Sequence, residues 1–214
     1  MTPLAAFPSR LRTLAAAFVL STALATEAAA VQPASAMAFV KELSSTVLKQ
    51  LTGTEISDSD RVKRLRKLLV EHFDVPVVGK FVLGVYFRRT SEAQFKEFLK
   101  LYEVYVAHNY SGLFKKYQGE TIDVLREQPG GNDTTLVFAR INQVSGPPVA
   151  MDMRVHKKNG AYKALDLKIE GVSMPLTHRK QFASVIARSS NGVQGLLDAL
   201  KRATDRFEAE TPSQ

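Results

Sequence analysis

The chain predicts an α+β fold, a curved antiparallel sheet of about four strands wrapped on one face by helices. Two observations carry this. Apolar residues recur at helical spacing from residue 37 to residue 117, and from Glu120 the period changes to two. The period-two runs are joined by the short turn signals PGGND, SGPP and KNG, so consecutive strands form hairpins and the sheet is antiparallel with one wet face. Its dry face needs a cover, and the flanking helices supply it.

Residues 1–36 stand apart. Arg10 and Arg12 precede the apolar run LAAAFVLSTALA, which is followed by small residues and two A-x-A sites ending at Ala30 and Ala36. This is the layout of a cleaved secretory signal peptide, and the apolar run is shorter than the ~20 residues that span a bilayer. Cleavage is expected after residue 30 or 36, leaving residues 37–214 as a single exported domain. The chain has no cysteine, so neither a disulfide nor a lipid anchor on cysteine can form. The leader carries two arginines and one glutamate, so its removal lowers the formal net charge of +8 by one. A basic surface suits anionic partners. Export and the interspersed acids argue against nucleic acid.

The mature chain opens with a helix over 37–51, where Phe39, Leu43, Val47 and Leu51 stack on one face. Ser59 or Asp60 is placed to cap a second helix, RVKRLRKLLVEHF, with Val62, Leu65, Leu69 and Phe73 inward and Arg61, Lys63, Arg64 and Lys67 outward. Residues 73–87, FDVPVVGKFVLGVYF, are apolar on nearly every side. With Asp74 as cap and Pro76 in the first turn, they predict a helix buried all round. Thr90 and Ser91 open the next helix, and Ser91 with Gln94 fits a capping box. Phe95, Phe98, Tyr102, Val106, Tyr110, Leu113 and Tyr117 follow at helical spacing.

Four strands come next: TIDVLRE, TTLVFARI, PVAMDMRVHK and YKALDLKIE. In the third, Val149, Met151, Met153 and Val155 oppose Asp152 and Arg154. In the fourth, Leu165, Leu167 and Ile169 oppose Asp166, Lys168 and Glu170. Two helices close the chain, one carrying Phe182, Val185 and Ile186, the other Leu196, Leu197, Leu200 and Phe207.

The stretch IEGVSMPLTHRK, residues 169–180, raises the question of a Ser173–His178 pair. A nucleophile elbow requires G-x-S-x-G in a parallel sheet, but Pro175 holds the last position and this sheet reads antiparallel. Ser173 fits better as the cap of the following helix. The four histidines, 72, 108, 156 and 178, share no helix face at metal-ligand spacing. Asp152 and Asp166 lie on the wet face with Arg154 and Lys168, which reads as a charge ladder. No catalytic, metal or cofactor site is expected.

FDVPVVGKFVLGVYFRRTSEAQFKEF, GPPVAMDMRV, YKALDLKIEGVSM and NGVQGLLDAL resemble, in order over about residues 37–205, the MlaC family of periplasmic lipid carriers. That family is also labelled toluene-tolerance auxiliary protein, and it includes the hopanoid-associated HpnM branch. FVLG-x-Y at Phe81–Tyr86 and EGVSM at Glu170–Met174 are its most specific pieces. A monomer is expected, and the resemblance implies a shuttle for phospholipid or a hopanoid-type lipid. It would work between an outer-membrane lipoprotein complex and an inner-membrane ABC transporter with an MCE-domain ring. It implies an apolar cavity between sheet and helices, with the head group at its mouth. The residues expected to line that cavity are Phe81, Val82, Tyr86, Tyr102, Val106 and Phe138, then Met151, Met153, Val155, Leu165, Leu167 and Ile169, and at the joint Val172 and Met174. An exported adaptor protein with a solid core, and an exported hydrolase, are the competing readings.

Overall fold

The computed structural model describes residues 33–210, so all but the last four residues of the expected leader lie outside the described residues. Helix α1 runs Ala36–Leu51. Ser35 caps it by accepting from the Ala38 amide, and Ala36 is already buried in the core. Helix α2 (Asp58–His72) starts earlier than the spacing predicts. Its cap is Ser57, not Ser59 or Asp60, because Asp58 and Asp60 sit favourably within the acidic first turn. Arg61 is also displaced from its expected place on a solvated face. It is 3 % exposed and donates to the carbonyls of Leu51 and, at 3.0 Å, Ile56, tying the end of α1 to α2.

Helix α3 (Val75–Leu83) has Asp74 as its cap and Pro76 in its first turn. It is not buried all round. Val78, Val82 and Leu83 are inside, while Val77 and Phe81 are 42 % and 44 % exposed, and Val85 in the following 3-10 turn (Gly84–Arg89) is 71 % exposed. Apolar residues exceed the buried positions this short element offers. Where α3 meets the next helix the approach is close: a Cβ at Gly79 would come within 2.6 Å of the Leu99 side chain. That helix, α4 (Glu92–Lys115), opens with the full Ser91–Gln94 capping box. Phe98 and Tyr102 are buried on it, whereas Leu113 is 66 % exposed and so leaves the predicted stripe.

The sheet is β1 (Thr121–Pro129), β2 (Thr134–Asn142), β3 (Val149–Lys158), β4 (Ala161–Ile169) and a short β5 (Val172–Ser173), in chain order and antiparallel throughout. Asn159 and Gly160, both at positive φ, make the two-residue turn between β3 and β4. The fifth strand was not expected from sequence; its two residues are too few to carry a period. Helices α5 (Met174–Arg188) and α6 (Val193–Glu210) complete the fold.

The buried apolar residues divide into two clusters. One lies between α1 and the sheet and includes Phe39, Val40, Leu43, Val137, Met151, Met153 and Val155. The other lies among α3, α4, α5 and α6 and includes Val82, Phe98, Tyr102, Phe182, Leu196 and Leu200. Phe73, at the end of α2, packs against both, and among the described residues no other side chain does.

Candidate functional site

The dry face is set by register. Met153 stands opposite Val137 and Leu167, and Met151 opposite Ala139 and Ile169, so these side chains share one surface beneath α1. Two expected members are absent from it. Phe138 pairs with Asp152 on the polar face, where the Arg126 guanidinium lies 3.7 Å from its ring centre. Leu165 falls at a bulge: Arg154 pairs with Asp166 but Val155 pairs with Ala164, so Leu165 belongs to neither cluster and Ala164 takes its place in the core.

Val82, Tyr86, Tyr102 and Val106 belong to the helical cluster. Met151, Met153, Val155, Leu167 and Ile169 belong to the sheet cluster. Met174 is half-buried at the start of α5, while Phe81 and Val172 are exposed. The expected lining is therefore distributed over the two sides of a seam rather than round one pocket. Sequence reading set Phe39 on the inner face of the first helix but did not count it in the lining, and it missed Val40, Val137 and Ala139; these four complete the sheet side. TTLVFARI is apolar on both faces, with Leu136 and Phe138 on one side and Val137, Ala139 and Ile141 on the other, so its alternation does not name the dry one.

Phe73 also lines a surface cleft of about 370 Å³, together with Val70, Asp74, Pro76, Lys158, Asn159, Ala161 and Lys163. Asp74 forms its floor with a nearly inaccessible carboxylate. Lys158 Nζ lies 2.9 Å from one oxygen and His156 Nε2 3.1 Å from the other. Lys163 Nζ donates to the Glu71 carbonyl across the same cleft. Its rim is thus basic and its walls apolar.

The Ser173–His178 question has a geometric answer. Ser173 Oγ donates to Asp166 at 2.9 Å and accepts from the Leu176 amide, so it caps α5. Burial raises the Asp166 carboxyl above its usual range, and the Ser173 hydrogen bond partly offsets this. His178 is buried elsewhere, its Nδ1 2.9 Å from the Tyr102 hydroxyl and its Nε2 3.0 Å from that of Tyr110. A neutral imidazole offers one donor and one acceptor, so the two tyrosines satisfy it completely. Burial pushes its pKa down to about 4. The serine and histidine are each committed to other partners. On the wet face, Asp152 stands opposite Lys168 and Asp166 opposite Arg154, a ladder of alternating charge. Among the described residues, no three His, Asp or Glu side chains are grouped to hold a metal, and no helix is long and apolar enough to cross a membrane.

Comparison with known proteins agrees with this architecture. The fold matches the phospholipid-binding protein from Ralstonia solanacearum, solved in complex with a phospholipid, with a TM-score of 0.69 at 24% identity, over 81% of this chain and 98% of that one. The chain is 23% identical over 147 residues to the intermembrane phospholipid transport system binding protein MlaC of Haemophilus influenzae, covering 66% of this chain and 67% of that protein. The family described as MlaC protein matches residues 40–202, which include both sides of the seam, and the chain belongs to that family.

Proposed function

We propose that the protein is a periplasmic lipid carrier that holds phospholipid along the seam between its two cores and shuttles it between membranes. The observation that carries this is the division of the buried apolar residues into two clusters joined at Phe73, where a basic-rimmed cleft opens. A diacyl lipid is larger than that cleft, so loading requires the sheet with α1 to part from the helical cluster. Acyl chains then replace contacts across the seam, each CH₂ contributing roughly 0.8 kcal/mol. Met151 and Met153 can refit to chains of different shape because methionine is unbranched and flexible. The phosphate lies at the mouth near Lys158 and Lys163.

The named relatives are binding proteins, which accords with a carrier rather than an enzyme. In this reading the donor and acceptor are an outer-membrane lipoprotein complex and an inner-membrane ABC transporter with its MCE ring. A carrier alone equilibrates its cargo, so direction comes from those partners.

Native mass spectrometry of gently purified protein tests the proposal. A monomer carrying adducts of lipid mass, lost on organic extraction, is the expected result, and the extracted mass separates glycerophospholipid from a hopanoid-type lipid. Leu167→Asp, which sets a carboxylate on the sheet side of the seam, should abolish the adduct. A single lipid-free mass from wild-type protein would favour the solid-core adaptor.

A further inference from the structure

Residues 75–91 and 171–188 contain no aspartate or glutamate, yet they hold Lys80, Arg88, Arg89, Arg179, Lys180 and Arg188. The two segments lie side by side. The Asp74 amide donates to Ala164 of β4 and Ser173 bonds to Asp166 of the same strand, so α3 and α5 both set out from β4. Further along, the Arg179 guanidinium lies 5.0 Å from the Phe81 ring centre and packs against Gly84, where a Cβ would meet its Nε at 2.8 Å.

This pairing brings together several exposed apolar side chains that neither core uses, although Val70, Leu113, Leu125 and Val144 are exposed elsewhere. Val77 and Phe81 lie one turn apart on α3, Val85 follows in the 3-10 turn, and Leu176 is one turn before Arg179. Around them, Lys80, Arg88, Arg89 and Lys180 are exposed, and among the described residues none of these cations is within ion-pair distance of a carboxylate. Elsewhere on the molecule basic residues are often paired, as Arg66 is with Glu103 and Lys115 with Asp58.

We propose that this face, Val77, Phe81, Val85 and Leu176 within a ring of unpaired cations, docks the protein on an anionic lipid bilayer. Apolar side chains enter the interface while the cations meet lipid phosphates, the division of labour found in surface-bound amphipathic helices. Charge complementarity selects this occupant, because an acid-free basic ring fits a continuous anionic surface. The proposal goes beyond internal lipid carriage and stands on surface residues alone.

The experiment is flotation of the mature protein with vesicles of phosphatidylcholine containing phosphatidylglycerol, against phosphatidylcholine alone. Binding to the anionic vesicles only is expected. The triple variant Lys80→Gln, Arg88→Gln, Arg89→Gln should lower partitioning roughly a hundredfold, about fivefold for each charge removed. Val85→Ser, at an open position that leaves both cores intact, should lower it severalfold. The variant Lys201→Gln, Arg202→Gln, Arg206→Gln removes equal charge from exposed positions on α6 and should bind as wild type does. Equal losses from the two triple variants would overturn the proposal, leaving only diffuse attraction. So would failure of the wild type to float when the first triple variant blocks lipid transfer to a protein acceptor, which assigns the face to a protein partner. Native mass spectrometry of the same variants reports internal cargo separately, so failure of docking and failure of carriage are distinguishable.

Discussion

Ser173 ends one element and starts another, and its single hydroxyl serves both. Ser173→Ala should cost ~1 kcal/mol of stability, the usual worth of a cap, and leave lipid transfer nearly unchanged; thermal melts beside a vesicle transfer assay check this. Loss of transfer in a well-folded variant would contradict the capping role. His178 makes a pH prediction. Its folded pKa, about 4, lies below the 6.5 of an exposed histidine, so the unfolded chain binds the proton more readily. Stability from the neutral ring is therefore full above pH 6.5 and drains away as pH falls towards 4, by at most roughly 3 kcal/mol. Asp166, whose pKa is raised, acts in the opposite sense, since acid relieves its burial. Comparing melts of wild type and His178→Gln from neutral pH down to 4 isolates the histidine: the wild type should lose more stability than the variant. The cap role of Ser173 was readable from local chemistry, because Pro175 and the strand before it suffice. The burial of His178 was not, because Tyr102 and Tyr110 come from a helix some 70 residues earlier.

Caps and periods made the elements legible. The capping box of α4, the Asp74 cap of α3 and the alternation of β3 all lie where local rules place them. What escaped was decided by pairing between elements. The bulge that removes Leu165 from the core exists only in the β3–β4 register, and Arg61 is buried because α1 happens to end beside it. Helix α1 also bears on processing. Ser35 supplies its cap and Ala36 is 1 % exposed in the sheet cluster, so cleavage after residue 36 would remove both. We therefore expect the mature protein to begin at Val31. Intact mass of periplasmic protein measures this directly, and a start at Met37 should come with lower stability, by roughly 1 kcal/mol for the lost cap.

At the scale of the whole domain, composition and pattern established that there was enough apolar surface for a core, but not that it would split in two. The split follows from topology: α1 covers the sheet, leaving the later helices to bury their apolar faces mainly against one another. In the proposed carrier that division is the lipid path, and the lipid-loaded and lipid-free forms should differ mainly across the seam. Because Phe73 is, among the described residues, the one side chain shared by the clusters, the two halves need not open together. Amide hydrogen exchange should resolve two protection classes, one in α1, β2 and β3, the other in α4 and α6. Phe73→Ala should widen the gap between them. Bound lipid should narrow it, since cargo that bridges both halves makes their openings cooperative. The cargo would then be a structural part of the domain, and its release the domain's lowest-energy partial unfolding.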